Sequence, residues 1–394
     1  MLEGNFLLRL MNLSYSIDNS IPKQGFGNEE PTSGLGTREL LLPPPKKTKN
    51  VLVPKPPKMY LFPNPRLGTH CIVFLMKSNK ANQPKLIVIC GPTGVGKTSL
   101  ALQLAEDLSA EIISADSRQI YKYMNIGTAK PTPEEVARVP HHLIDIITPD
   151  QKFTAGEFVK RADSAVSKIK KNNHIPFVVG GTGFYIKSLL YGLCKIPPIP
   201  AAIRNELKKE VEEKGAQTLH HMLDEVDPVA ARKTDSNDVN RIVRALEVYR
   251  VTGSPISSYW QKDALEKRYH HFTIFINDER SVLYEKINTR VDKMIRDGLF
   301  DEFKHLLEMG FTRNDPGMNS LGYKELFDYI DGIHDWHTTV ELIKQYMRNY
   351  AKRQLTWFNK QEIHLTISSP QLTLFDIKNQ IMEFLGHNEA CCYS

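Results

Sequence analysis

Gly91-Pro92-Thr93-Gly94-Val95-Gly96-Lys97-Thr98 has the full G-x-x-x-x-G-K-[ST] spacing of a P-loop. Glycines belong there because backbone N–H groups must close around phosphate oxygens with no side chain in the way. Lys97 adds a positive charge, Thr98 offers a hydroxyl to Mg2+, and a helix starting here turns its positive end towards the anion. The segment implies phosphate binding, and alone it points first to a kinase or NTPase. Asp116 ends the apolar run Glu111 to Ala115, at the edge where open α/β sheets bind ligands. Capping of the following turn explains an Asp there equally well. Gly180-Gly181-Thr182-Gly183 lets backbone approach a ligand closely, or makes a simple turn. Arg241 and Arg244, opposite the stripe Ile242, Val243, Leu246 and Tyr249, can point together at an anion or form a solvated face.

The elements that must hold these groups alternate between strand and helix. Leu86-Ile87-Val88-Ile89-Cys90 reads as a buried parallel strand feeding the P-loop, and Leu100, Leu104, Ala105 and Leu108 give the following helix an apolar side. Further strands are expected at 111–115, 142–146 and 176–179, with a helix over about 155–171. The pattern predicts an α/β fold: a P-loop NTPase-like parallel sheet flanked by helices, with a helical insertion domain and a helical C-terminal region. The catalytic core is assigned to 84–197 and 236–380, the insertion to 198–235 with Glu206, Lys208, Glu212 and Lys214 exposed, and a flexible tail to 381–394. Residues 1–83, with Pro43-Pro44-Pro45-Lys46-Lys47 and Pro54-Lys55-Pro56-Pro57-Lys58, read as disordered or as an over-extended reading frame whose natural start is Met76.

The net charge of +6 does not by itself indicate nucleic acid. Residues 1–80 hold 11 basic against 5 acidic side chains, and the remainder is balanced at 40 against 40. Any RNA-binding surface must be local, such as the cluster Lys344, Arg348, Lys352 and Arg353, whose alternative is a solvated helix face. The 5 cysteines are scattered without a C-x-x-C pair, which favours a reducing compartment over a disulfide framework or zinc site. No apolar stretch approaches the roughly 20 residues of a membrane span.

Taken in order, several segments resemble bacterial tRNA dimethylallyltransferases, also called tRNA isopentenyltransferases. They are the P-loop with Thr93, Asp116-Ser117-Arg118-Gln119-Ile120-Tyr121, Gly127-Thr128-Ala129-Lys130-Pro131, Pro140-His141-His142-Leu143 and Gly180-Gly181-Thr182-Gly183-Phe184-Tyr185. Asp227-Pro228-Val229-Ala230-Ala231, Asn237-Asp238-Val239-Asn240-Arg241, Leu321-Gly322-Tyr323-Lys324 and Ala351-Lys352-Arg353-Gln354-Leu355-Thr356-Trp357 extend the likeness over about residues 84–370.

The resemblance implies transfer of a dimethylallyl group from dimethylallyl diphosphate to the N6 amine of the adenosine 3′-adjacent to the anticodon, with Mg2+ as cofactor. Gly91, Pro92, Thr93, Gly94, Val95, Gly96, Lys97 and Thr98 would grip the diphosphate, Thr98 reaching Mg2+. Asp116 would accept the amine proton, with Thr93, Lys97 and Arg241 as the other catalytic groups. Contacts to the tRNA anticodon stem-loop would come from Asp116, Ser117, Arg118, Gln119 and Thr182, from Asn237, Asp238, Val239, Asn240 and Arg241, and from Lys324, Arg348, Lys352 and Arg353. The insertion would help clamp that stem-loop. Asn319 stands where certain relatives have Arg, which argues against an RNA role there. The C-terminal zinc-finger motif of eukaryotic cytosolic and nuclear relatives is absent from the sequence. The bacterial cytoplasm is therefore expected, with an organelle second; a monomer is expected as well. The alternatives are an adenylate isopentenyltransferase and a small-molecule P-loop kinase.

Overall fold

The structure is a computed structural model that describes residues 83–262, 267–368 and 372–386. The expectations for 1–82 and for Cys391 and Cys392 lie outside these residues. Six parallel strands form one sheet in the order β3-β2-β4-β1-β5-β6. They are β1 (Lys85–Cys90), β2 (Ala110–Ser114), β3 (His141–His142), β4 (Ile175–Gly180), β5 (His270–Asn277) and β6 (Leu365–Ser368). Their order sets the ends of β1, β4 and β2 side by side, so the loops after them meet at one sheet edge.

Side chains alternate across each strand and build a core on both faces. Ile87 and Ile89 face α1 (Lys97–Asp107) and helices from the C-terminal half, namely α10 (Arg280–Arg296), α11 (Leu299–Glu308), α12 (Tyr323–Ile330), α13 (Trp336–Phe358) and α14 (Leu374–Leu385). Leu86, Val88 and Cys90 face α3 (Ala155–Lys171) and α4 (Gly183–Tyr191). Helix α3 shows how local and global choices agree. A capping box of Thr154 and Glu157 starts it, and Phe158, Ala162, Ala165, Val166 and Ile169 are the buried side the spacing predicted. The short α2 (Pro133–Arg138) likewise has a capping box, Thr132 with Glu135.

Three boundaries differ from expectation. The strand expected over 142–146 stops at His142, because Leu143 (φ 65°) and Asp145 (φ 53°) take left-handed backbone that no strand can continue. The helical insertion runs past 235: α5 (Ala201–Lys214), α6 (Ala216–Val226), α7 (Pro228–Ala231), α8 (Val239–Thr252) and α9 (Ile256–Lys262) share a third hydrophobic core. Leu207, Leu219 and Leu223 pack there with Ile242, Leu246 and Ile256, so a boundary at 235 would cut through it. The tail expected from 381 is helical to Leu385, with Ile381 fully buried. Lys85 Nζ donates to the carbonyls of Phe384 and Leu385 at 3.0 and 2.9 Å, holding the end of α14 to β1. No described helix is long and apolar enough to cross a membrane.

Candidate active site

The P-loop begins where β1 ends. Gly91 admits no side chain, since a Cβ would lie 2.4 Å from the Ile276 carbonyl oxygen. Gly96, at φ 98°, is the N-cap of α1, with no capping side chain and no acidic residue in the first turn. The free N–H groups and positive end of α1 are therefore left for an external anion. Lys97 folds over the loop and donates to the Pro92 carbonyl at 2.7 Å. Burial lowers its pKa to about 8; the nearby Arg290 cation pushes the same way and Asp116 opposes both. Arg290, from α10, has no ion pair among the described residues; burial lowers its pKa, and the Asp116 charge acts against that. Two desolvated cations side by side without a salt bridge form a site for a multiply charged anion.

Asp116 follows β2 into the same pocket, whose walls include Thr93, Lys97, Thr98, Arg290, Tyr350 and Gln354. Its Oδ1 accepts from the backbone N–H of Arg118 at 2.8 Å and, more weakly, of Gln119 at 3.4 Å. Oδ2 takes no hydrogen bond among the described residues. Capping thus occupies one oxygen of the carboxylate and leaves the other open. Gln119 lines the pocket, but its amide is engaged, accepting from Ser114 Oγ at 2.9 Å and donating to the Ala129 carbonyl at 3.1 Å. Thr182, the N-cap of α4, turns its hydroxyl away from that helix and accepts from the Ser117 N–H at 3.0 Å.

The loop carrying Gly127 and Lys130 is fixed from below. Glu302 accepts from the backbone N–H groups of Asn125, Ile126 and Gly127, and from the Tyr323 hydroxyl. A Cβ on Gly127 would lie 2.4 Å from the Tyr323 ring, so the Gly127 to Pro131 and Leu321 to Lys324 motifs are two halves of one contact. Lys130 Nζ reaches the Tyr121 carbonyl and the Asp145 carboxylate. These contacts set the wall made by Ala129 and Pro131.

A second cleft lies along α13, lined by Lys187, Arg241, Lys352, Arg353 and Lys360 with no carboxylate among its lining residues. Arg241 therefore stands in this basic cleft and is not among the residues lining the P-loop pocket. The second cation beside Lys97 is Arg290. Arg244 does not point with Arg241; it pairs with the buried Glu247. Asp238 caps α8 by accepting from the Arg241 N–H at 3.1 Å, and its carboxylate stands 3.3 Å from the Arg241 guanidinium. Val239 packs on the insertion core, while Asn237 and Asn240 are exposed outside the cleft. The C-terminal basic cluster splits. Lys344 pairs with Asp292, and Arg348 donates to Asn288 at 2.6 Å, so both tie α13 to α10. Lys324 is exposed and lines neither cavity, and among the described residues the Arg118 guanidinium makes a single 3.4 Å contact, with the Pro316 carbonyl.

Sequence reasoning missed Arg290, Tyr350, Gln354, Lys187 and Lys360. Arg290 had a signal, a cation set beside the apolar stripe Leu283, Ile287, Val291 and Met294. Gln354 lay inside the quoted Ala351 to Trp357 segment, but nothing there marked it as lining the pocket; Tyr350, Lys187 and Lys360 carried no signal.

Residues 119–361 match the family model described as IPP transferase. The P-loop and Asp116 precede that stretch. The tRNA dimethylallyltransferase of Carboxydothermus hydrogenoformans is 45% identical over 307 residues, covering 77% of this chain and 98% of its own length. That of Thermotoga maritima is 46% identical, covering 77% and 99%. Among solved structures, a tRNA delta(2)-isopentenylpyrophosphate transferase from Staphylococcus epidermidis superposes with a TM-score of 0.56 at 40% identity, covering 77% of this chain and 99% of that one. A eukaryotic dimethylallyltransferase acting on tRNA gives 0.63 at 26% identity, covering 76% and 77%.

Proposed function

The chain belongs to the IPP transferase family, and we propose that its P-loop pocket moves a dimethylallyl group from dimethylallyl diphosphate to the N6 amine of the adenosine 3′-adjacent to the anticodon of tRNA. The observation that carries this is the meeting of two unpaired cations, Lys97 and Arg290, with a carboxylate whose Oδ2 is open, in one pocket. A kinase transfers the phosphoryl group itself. Here the bond that breaks joins the prenyl C1 to the bridging oxygen, and the bond that forms joins C1 to N6. Negative charge then grows on the departing diphosphate, against Lys97, Arg290 and the N–H groups of α1. The N6 proton passes to Asp116 Oδ2, a transfer the Oδ1 hydrogen bonds direct by fixing the carboxylate.

Thr98 lines the pocket and would hold a metal through its hydroxyl, and no group of three or more His, Cys, Asp or Glu able to hold one occurs among the described residues. That donor set suits Mg2+, which binds through a hydroxyl and diphosphate oxygens while keeping its waters. When bound, Mg2+ would supply positive charge to the leaving group. The acceptor base must leave its stack to reach the pocket. The basic cleft along α13 offers Lys187, Arg241, Lys352, Arg353 and Lys360 to the RNA phosphates flanking it. Labelled dimethylallyl diphosphate offered with total tRNA or with AMP tests the assignment. Label should enter tRNA; label in AMP and none in tRNA would make the enzyme one that modifies free nucleotides.

A further inference from the structure

Gln354 joins the two halves of the pocket. Its Oε1 accepts from the Thr93 backbone N–H at 2.8 Å, and its Nε2 donates to the Gly181 carbonyl at 2.9 Å. The side chain is 6% exposed, so neither bond has water as a substitute. The amide orientation is forced, because a backbone N–H can only donate and a carbonyl can only accept. Gly181 leaves the amide its place: a Cβ there would lie 2.2 Å from Gln354 Nε2 and would push the side chain aside. One turn further along α13, Trp357 presses on Gly183, whose Cβ would lie 2.1 Å from the indole nitrogen. Positions 350, 354 and 357 share a helical face, and that face holds the loop after β4.

The bonds continue past Gln354 in both directions. Thr93 belongs to the P-loop that grips the leaving group. On the other side Gly181 leads to Thr182, whose N–H donates to the Ala115 carbonyl at 3.1 Å and whose hydroxyl accepts from the Ser117 N–H at 3.0 Å. Asp116 lies between Ala115 and Ser117. A rail of buried and half-buried hydrogen bonds therefore runs from the diphosphate loop to the carboxylate, and Gln354 links the loops after β1 and β4 in it. The Thr93 N–H is spent on Gln354 and is not among the groups left for phosphate.

We propose that Gln354 is a positioning residue that sets the spacing between the prenyl carbon and the acceptor amine, without touching either. This rests on the P-loop holding the diphosphate and Asp116 facing the base. Reacting atoms must sit about 3–3.5 Å apart, and a displacement near 1 Å costs about 100-fold in rate. Loss of the rail should thus appear in the rate of the bound complex and spare the affinity for each substrate.

Two variants test it, each with pyrophosphate and anticodon stem-loop RNA binding measured alongside single-turnover prenyl transfer at saturation. Gln354→Leu removes both bonds and should slow transfer by roughly 10- to 100-fold, with each affinity within about 3-fold of wild type. Gln354→Glu keeps an acceptor for the Thr93 N–H but sets a carboxylate against the Gly181 carbonyl. Protonation makes Glu an isostere of Gln at this site, able to donate again. Its rate relative to Gln354→Leu should therefore rise as pH falls. Loss of affinity in parallel with rate, or no acid recovery in the Glu variant, would make Gln354 a packing residue, as would an unchanged single-turnover rate in both variants. Failure of the wild type to bind pyrophosphate would instead overturn the P-loop assignment, and this proposal with it.

Discussion

The helical insertion and the sheet edge both concentrate charge, and they treat it in opposite ways. In the insertion each buried carboxylate is answered. Glu247 takes both Arg204 and Arg244, and Asp227 accepts from the N–H groups of Ala230 and Ser257; the half-buried Glu210 likewise takes Arg250 and Lys214. At the sheet edge, among the described residues, Lys97 and Arg290 have no carboxylate partner, Asp116 keeps one oxygen free, and α1 starts without a side-chain cap. Paired charge specifies a fold, whereas unpaired charge in a pocket waits for a ligand. Substitutions in the first region should therefore be read in stability, and those in the second in turnover.

Asp116→Asn puts this contrast under the greatest strain. It keeps the size and one acceptor for the Arg118 N–H but cannot take a proton, so single-turnover transfer should fall by about 10²- to 10⁴-fold with little change in melting temperature. A near-normal rate across pH would leave Asp116 with the capping role alone. Glu247→Gln should do the reverse. It should lower unfolding free energy by about 2 kcal/mol, discounted because Arg204 and Arg244 stay half in water. Chemical denaturation measures this, and the transfer rate per folded molecule should stay as in wild type.

A smaller effect sharpens the role of the cations. The Lys97 ammonium is present below about 8 and lost as pH rises through that value, so prenyl diphosphate affinity should weaken on the alkaline side. Calorimetric titration of wild type against Lys97→Met separates this from ionisation of the ligand, because the variant should lack the extra decline. Smallest, the double change Lys352→Ala and Arg353→Ala should weaken stem-loop binding and reduce its dependence on salt by about two phosphate contacts. The rate of the saturated complex should hold. A salt slope equal to wild type would place the RNA elsewhere.

The contrast also explains what could be read from the sequence. The P-loop was legible because its chemistry is contiguous, eight residues whose spacing alone states a phosphate cradle. Helix α3 was legible from its apolar stripe, and the capping box that the structure shows at its start agrees with it. The insertion boundary was not, since the stripe of α8 fits the sheet core as well as the third core, and only the packed structure selects. The break after His142 depends on two non-glycine residues at positive φ, which carry no turn signature. Arg241 and Arg244 looked equivalent; Glu247, one turn on, decides between them. The role of Gln354 was not legible, although the residue lies in a segment that carries the resemblance, because an uncharged amide on a long helix announces nothing until both backbone partners are in place.

The central position of β1 has a kinetic consequence. Synthesis delivers the P-loop early, yet Thr93 is tied to a residue 261 positions later, and Lys85 to carbonyls 299 and 300 positions later. Contacts of such sequence separation form slowly, because the intervening chain must be ordered before they close. A nascent chain halted before α13 would display the glycines and lysine of a phosphate loop with nothing bracing them. Diphosphate binding would then report completion of the fold, the first-made motif maturing among the last.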